Sequence, residues 1–172
     1  MVDIKWDAGM QYKKEYANLI NELLDLTINY YIERLVTFAI FGSVAKDAFR
    51  PDSDIDILIV AEDLPDRRWK RTSEFIEHIE KKLDIQGLYD REVYPSLSPV
   101  IKSKEEINYG SPLFLDMTEN VKILYDREDF FQHYLDTLRK KLSALGAKKI
   151  ICGDSYYWDL KPDYKFGDVI EL

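Results

Sequence analysis

The sequence predicts an α/β fold of the α+β type, in which helices flank a small mixed β-sheet. A helical pattern at residues 10–33 is followed by two short apolar segments, at residues 35–41 and 55–61, that are rich in β-forming residues. Helical and strand patterns then alternate along the rest of the chain. The chain has 172 residues, 46% of them apolar, which is enough to form a core without a disulfide or a structural metal.

The first helix is predicted from apolar residues that recur every three or four positions and so share one helix face. They are Tyr12, Tyr16, Leu19, Ile20, Leu23, Leu24, Leu26 and Ile28. Residues 35–41 and 55–61 follow as buried strands. The first ends at Gly42, and the second is entered through the turn-rich segment RPDSD. Only a turn or two of helix fits between them, at residues 44–49.

The middle of the chain is predicted as a helix, an irregular strand and two short helices. Residues 66–83 have helical spacing, with the one tryptophan of the segment in the core. Residues 92–101 form the next strand, and its two prolines make it an edge strand or an irregular one. Ser103 with Glu106 fits a capping box that starts a helix, and a Ser-Pro pair at residues 111–112 fits a second start.

The C-terminal part is predicted as a strand at residues 121–125, a helix at residues 128–145 that stops before a glycine, and a strand at residues 149–152. No linker rich in glycine, serine or proline divides the chain. We therefore expect a main domain over residues 1–126, with the helix and an extended tail of residues 127–172 packed on the same domain.

The tail is dense in aromatic residues and contains the single cysteine of the chain. Cys152 lies in an apolar segment and is expected to be a buried thiol. Tyr156, Tyr157 and Trp158 are either core anchors for the tail or a surface that meets a partner.

Charge and apolar content exclude several classes of protein. There are 24 Lys and Arg residues against 32 Asp and Glu, a net charge of −8, which disfavours non-specific DNA binding but not a nucleotide held through metal ions. No segment has the ~20 apolar residues of a membrane span, and the first residues lack a signal peptide pattern. We therefore expect a cytoplasmic protein without membrane contact. One cysteine excludes paired zinc ligands.

The segment with the most chemical information is residues 41–60, FGSVAKDAFRPDSDIDILIV. A strand that ends in Gly42-Ser43 and continues into a short helix directs backbone N–H groups outward, which suits a phosphate group. Ten residues later, Asp54 and Asp56 share one face of a strand. Neighbouring carboxylates repel each other unless a cation lies between them, and hard oxygen ligands suit Mg²⁺ or Mn²⁺. Each half alone also fits an ordinary turn or a solvated strand, but the combination at this spacing favours a functional site.

This segment resembles the signature of the DNA polymerase beta-like nucleotidyltransferase superfamily, which is Gly-Ser, ten intervening residues and Asp-x-Asp between apolar residues. The strings AKDA at residues 45–48 and RPDSDID at residues 50–56 are similar to the minimal nucleotidyltransferase branch, where an Arg more often stands at the position of Lys46. The resemblance implies the polymerase beta-like nucleotidyltransferase fold for the main domain. It also implies transfer of a nucleoside monophosphate from a nucleoside triphosphate, expected to be ATP, to a hydroxyl.

The resemblance further implies a role for each residue of the motif. Asp54 and Asp56 would be catalytic and would hold divalent metal ions, Mg²⁺ or Mn²⁺. Gly42 and Ser43 would bind the terminal phosphates, and Lys46 would add a positive charge there.

The third metal-binding carboxylate of the family has no clear counterpart in this sequence. It is expected on the strand after the second helix, which here reads EVYPSLSPV. Ser96 or Ser98 stands at the expected place, and Glu92 is the only acid in the same alternation phase, so Glu92 is the candidate third catalytic carboxylate. Without a third acid, metal and nucleotide could still bind, but the attacking hydroxyl would lack a local base.

Two functions therefore remain open. The first is a metal-dependent nucleotidyltransferase. Members of the branch often work beside a small helical partner of the HEPN type, in toxin–antitoxin pairs in which the transferase adenylylates the toxin, so the resemblance implies a protein or RNA acceptor and an antitoxin role. The alternative is a catalytically weak or inactive module of the same fold that binds a nucleotide or a partner. An oligomer is compatible with either.

Overall fold

The computed structural model describes residues 10–153 and 155–166 and contains two β-sheets. The larger sheet has the strand order β3-β2-β1-β4, in which β1 is antiparallel to both neighbours and β2 is parallel to β3. The smaller sheet is an antiparallel hairpin of β5 and β6. The strands are β1 (Leu35–Phe41), β2 (Asp54–Ala61), β3 (Ser96–Lys102), β4 (Lys122–Asp126), β5 (Lys148–Cys152) and β6 (Ser155–Asp159).

Seven α-helices and three single 3₁₀ turns are found in the described residues. The helices are α1 (Gln11–Tyr31), α2 (Gly42–Ala45), α3 (Arg68–His78), α4 (Ile85–Tyr89), α5 (Lys104–Asn108), α6 (Leu113–Met117) and α7 (Phe130–Leu145), and the 3₁₀ turns are Ile32–Arg34, Glu80–Lys82 and Arg127–Asp129. None of the helices in residues 10–153 and 155–166 has the length and apolar character needed to cross a membrane.

The larger sheet separates two apolar cores. Ile55 and Ile57 of β2 point to the side covered by α1 and α3. Leu58 and Val60 point to the other side, which is covered by α6 and α7. Because side chains alternate along a strand, Asp56 shares the face of Leu58 and Val60. The acidic residues at the start of β2 therefore lie on the same face of the sheet as α6 and α7.

The strongest local signals in the sequence are confirmed. The first helix and the first two strands lie within one or two residues of their predicted bounds. The capping box at α5 makes both of its hydrogen bonds, from the Ser103 backbone to Glu106 and from the Glu106 backbone to Ser103. Helix α7 ends at Gly146, whose φ of 68° lets the chain leave the helix in the left-handed conformation.

Weaker predictions were wrong in detail. The helix predicted at residues 66–83 ends at His78, and the next strand starts at Ser96 rather than at residue 92. Trp69 is 60% exposed and not part of the core, and Cys152 is exposed and not buried. The expected extended tail instead contains β6, which pairs with β5.

Candidate active site

The turn between β1 and α2 depends on the glycine at its centre. Gly42 has a φ of 71°, in the region that favours glycine. Strand β1 ends at Phe41, which pairs with Asp56 of β2. A Cβ atom at Gly42 would lie 2.0 Å from Oδ2 of Asp56. The backbone turn and the carboxylate are therefore in direct contact, and only glycine leaves room for both.

The two carboxylates of the motif lie at the start of β2, where the sheet meets solvent. Asp54 is exposed and Asp56 is half-buried. Burial raises the pKa of Asp56, and the charge of Asp54 raises it further. Both effects oppose the second negative charge in the free protein, and a bound cation would relieve both.

A cavity of about 180 Å³ opens at this point, between the larger sheet and α6. It brings together three residues predicted from the motif, Gly42, Lys46 and Asp56. Ser43 and Asp54 adjoin them in sequence but do not line the cavity. Lys46 is exposed and follows the last residue of α2, so it is not inside the helix as predicted. The remaining lining residues are Phe41, Leu113, Asp116, Met117, Asn120 and Tyr156.

The structure corrects the prediction for Glu92. This residue lies in an exposed turn with a φ of 60°, four positions before the first residue of β3, and so does not share the strand phase attributed to it. The register of β2 and β3 places Ser96 beside Asp54 and Ser98 beside Asp56. Within the described residues, no three His, Cys, Asp or Glu side chains form a group that could hold a metal. Glu92 therefore does not join Asp54 and Asp56.

One acidic residue of the cavity had no signal in the sequence. Asp116 of α6 accepts hydrogen bonds from the Tyr156 hydroxyl, from Trp158 Nε1 at 3.1 Å and from Lys149 Nζ at 3.2 Å. Burial opposes ionisation of Asp116, but these three donors outweigh it and lower the pKa. The partners are 33 to 42 residues away in sequence, so no local motif could have predicted the cluster.

The residues present fit a divalent cation that takes its remaining ligands from a substrate and from water. Asp54 and Asp56 supply two hard oxygen donors, and burial together with the charge of Asp54 raises the pKa of Asp56, so that a cation would favour its ionised form. Mg²⁺ is commonly bound by one or two carboxylates together with substrate phosphates and water. A third protein ligand is therefore not required for binding.

Known proteins resemble this chain in sequence and in fold. A model of the nucleotidyltransferase domain family matches residues 22–125. A Methanocaldococcus jannaschii protein, provisionally named a protein adenylyltransferase, is 24% identical over 150 residues, which are 86% of this chain and 96% of the relative.

Two solved structures match this chain at low sequence identity. Spectinomycin adenyltransferase from Enterococcus faecialis, solved with ATP and spectinomycin, has a TM-score of 0.52 and 16% identity, covering 76% of this chain and 66% of the other. A toxin–antitoxin structure with AMP-PNP has a TM-score of 0.43 and 18% identity, covering 72% of this chain and 89% of the other. Because the family model matches more than half of the 172 residues, and does so over the Gly-Ser turn and the Asp-x-Asp strand, this chain belongs to the nucleotidyltransferase domain family and is a nucleotidyltransferase.

Proposed function

We propose that this nucleotidyltransferase moves AMP from ATP to a hydroxyl group of a protein, with Mg²⁺ or Mn²⁺ bound at Asp54 and Asp56. The observation that carries the proposal is the contact between the Gly42 turn and the Asp56 carboxylate, in a cavity that Lys46 also lines. The name of the M. jannaschii relative supports adenylyl transfer and a protein acceptor. The choice of ATP and of a protein rests on that relative and on the resemblance of the motif.

The chemistry assigned to the site is a displacement at the α-phosphorus. The acceptor oxygen forms a bond to that phosphorus, the bond to the bridging oxygen of the β-phosphate breaks, and pyrophosphate leaves with the electron pair. Asp54 and Asp56 would hold a metal ion, which would supply positive charge to the polyphosphate and the leaving group. The ammonium of Lys46 adds a further charge beside the phosphates. The acceptor proton passes to water, since β3 offers Ser98 and no carboxylate beside Asp56.

A second candidate is a nucleotide-binding module with weak or no transferase activity. It is favoured by the two serines on β3, which face the Asp-x-Asp pair where the family resemblance implies an acid. General base catalysis is worth about 10²–10⁴-fold in rate, so the loss of that acid would slow transfer greatly without preventing binding.

The HEPN-type partner is a prediction from the family resemblance. The acceptor in a pair of that kind would be a hydroxyl of the helical partner. A candidate partner is therefore tested as an acceptor in the transfer assay and not by binding alone.

Transfer of label from ATP tests the proposed function. The protein is incubated with Mg²⁺ or Mn²⁺ and with ATP labelled at the α- or the γ-phosphate, together with candidate proteins and peptides that carry Tyr, Ser or Thr. We expect label on the acceptor from the α-position only, with release of one pyrophosphate per label. Metal-dependent ATP binding without transfer to any acceptor would favour the binding module. Transfer from the γ-position would contradict the proposal, because it would indicate a kinase.

A further inference from the structure

The β5–β6 hairpin has an inner face that is fixed to the body at one end. In its register Lys149 pairs with Trp158 and Ile151 pairs with Tyr156, so these four side chains share one face. At the base of the hairpin, Lys149 and Trp158 both donate hydrogen bonds to Asp116 of α6. Lys149 also donates to Glu119 at 2.9 Å. The inner face is therefore turned toward α6 and the cavity beside it.

The far end of the same face is not covered. Ile151 is 78% exposed and Tyr156 is 43% exposed, although both lie on the inner face with Trp158. Tyr156 nevertheless lines the cavity that contains Gly42 and Asp56. Within residues 10–153 and 155–166, Tyr156 thus presents a partly exposed ring at the candidate phosphate site, and Ile151, its partner across the hairpin, is largely exposed.

The ring of Tyr156 is also held in a fixed orientation. Its hydroxyl donates a hydrogen bond to Asp116, and the Lys149 ammonium lies 3.9 Å from the ring centroid, over one face. These two contacts restrict the orientation of the ring, which is still 43% exposed. A pre-positioned aromatic face is suited to stacking on a flat ligand group.

The two sides of the cavity differ in chemistry. Gly42, Lys46 and Asp56, from the side of the larger sheet, suit a metal-bound polyphosphate. The opposite side, formed by α6, the turn after it and β6, supplies Met117, Asn120 and Tyr156, together with Asp116, whose carboxylate accepts hydrogen bonds from Lys149 and the hairpin aromatic residues. A ligand that matches both sides carries phosphates and a flat ring with polar edges, which describes a nucleoside triphosphate.

We propose that the inner face of the β5–β6 hairpin and α6 together bind the nucleobase, with the ring of Tyr156 stacked on the base and the Asn120 amide at its edge. The inference rests on the proposed function, because it assigns the other side of the same cavity. An amide side chain can donate and accept at once, and it therefore matches the adjacent donor and acceptor on the edge of adenine. Stacking on Tyr156 contributes to every base, and Asn120 favours adenine.

A comparison of two ligands tests this assignment. ATP and inorganic tripolyphosphate are titrated with Mg²⁺ into wild type and into Tyr156→Ala, Tyr156→Phe and Tyr157→Ala. Tyr157 lies on the outer face of the same hairpin and is 55% exposed, so it is the matched control. We expect Tyr156→Ala to weaken ATP binding by roughly tenfold or more and to leave tripolyphosphate binding unchanged. Tyr156→Phe keeps the ring and retains most of the affinity, and Tyr157→Ala matches wild type.

Three outcomes would overturn the assignment. Equal losses for ATP and tripolyphosphate in Tyr156→Ala would show a general effect on the site, and no loss for either would show that the ring does not contact the base. Loss of ATP affinity in Tyr157→Ala to the same degree would show a non-specific effect of the hairpin. The variant Asp56→Asn separates this inference from the proposed function. If Asp56→Asn leaves the binding of both ligands intact, the proposed function fails, whatever Tyr156 does.

Photolabelling gives a second readout that does not depend on affinity. After irradiation with 8-azido-ATP and Mg²⁺, we expect the label on peptides that contain Tyr156 or Asn120, and excess ATP should remove it. Label confined to peptides outside α6, the turn after it and the hairpin would contradict the assignment. In titrations with the four nucleoside triphosphates, Asn120→Ala should reduce the ratio of the affinity for ATP to that for the other three. Tyr156→Ala should lower the affinity for all four.

Discussion

The fold without metal disfavours ionisation of the Asp56 carboxyl group, whereas binding of a cation at the site requires it. Burial and the charge of Asp54 raise its pKa. A carboxyl group whose pKa is raised by folding stabilises the folded state only while it is protonated, and that contribution is lost as the pH rises through the raised pKa. Above its raised pKa, the ionised Asp56 therefore lowers the stability of the protein without metal.

Replacement of Asp56 by Asn should separate stability from binding. We expect Asp56→Asn to melt no lower than wild type at pH 7 without metal, because the unfavourable charge is removed. Metal-dependent ATP binding should fall by roughly 10- to 100-fold, since a contact to a charged group is worth about 1.5–3 kcal/mol. Thermal melts and calorimetric titrations measure the two effects.

The matched control is Asp52→Asn, in the turn before β2. Asp52 is exposed and pairs only weakly with Arg50, at 3.2 Å between exposed side chains. The Asp52→Asn substitution should change neither the melting temperature nor ATP binding. A fall in apo stability for Asp56→Asn, with no such fall for Asp52→Asn, would contradict the account of the Asp56 charge.

Substitutions at Gly42 and Gly146 separate the free energy of backbone strain from that of a steric clash with an added Cβ atom. Both have positive φ, 71° and 68°. A Cβ at Gly42 would meet Oδ2 of Asp56 at 2.0 Å, whereas a Cβ at Gly146 would meet no atom within 4 Å. A left-handed conformation costs a non-glycine residue roughly 1–2 kcal/mol.

We expect Gly146→Ala to lose only that backbone contribution and to keep its affinity for ATP. Gly42→Ala should lose more stability and should also lose metal-dependent binding, because Asp56 must move. Denaturant melts and titrations per folded molecule measure both effects. Equal destabilisation by the two variants, with ATP binding retained in both, would show that Gly42 is only a turn residue.

At the scale of elements, the register between β2 and β3 defines where a third acid could act. Ser98 is half-buried, lies beside Asp56 and shares its face of the sheet. A carboxylate at this position would join Asp54 and Asp56 in one site. We expect Ser98→Asp to lower the melting temperature without metal through added repulsion, and Mg²⁺ or Mn²⁺ to restore it.

In the transfer assay, Ser98→Asp should raise pyrophosphate release, by up to about a hundredfold if the new carboxylate acts as a base. Ser98→Asn has nearly the same shape without the charge and is the matched control. Glu92→Gln should leave turnover unchanged, because Glu92 lies in the turn before β3. A large loss of turnover in Glu92→Gln would contradict the placement of Glu92 outside the active site.

The elements that the sequence predicts well are those with local causes. Strands β1 and β2 are buried on both faces, so their apolar segments are continuous. The Gly-Ser turn comes directly after the first of these segments, and Asp-x-Asp begins the second. Gly42, Lys46 and Asp56 could therefore be assigned to one site from the sequence.

The elements that were missed depend on distant partners. The start of β3 is set by pairing with β2, and the Tyr94 backbone N–H donates to the Pro51 carbonyl before the strand begins. The role of the hairpin depends on Asp116, 40 residues from Tyr156. Neither relation leaves a periodic pattern in the sequence, so only the fold could show that Tyr156 of β6 reaches the cavity.

At the scale of the whole molecule, several carboxylates connect segments that are distant in sequence. Glu62 accepts from Arg127 and forms an ion pair with Lys104, and these partners lower its pKa. Asp116 holds the hairpin through three donors, which lower its pKa against the effect of burial. A carboxyl group whose pKa is lowered by folding stabilises the protein above its unfolded pKa, near pH 4, and this contribution is lost as the pH falls through the folded pKa.

Acid should therefore remove the contribution of Asp116 to stability and leave that of an exposed pair unaffected. We expect Asp116→Asn to be less stable than wild type at pH 7, and the difference to shrink as the pH falls below about 4 and then through the lowered pKa of Asp116, because wild-type Asp116 then becomes protonated as well. Urea melts across this range measure the difference. Glu77→Gln is the control, since Glu77 and Lys81 are 60% and 61% exposed and their pair contributes little at any pH. If the difference between Asp116→Asn and wild type were as large at the lowest pH as at pH 7, the side chain would act through its shape and not through its charge, and the hairpin would not be held by an ionised Asp116.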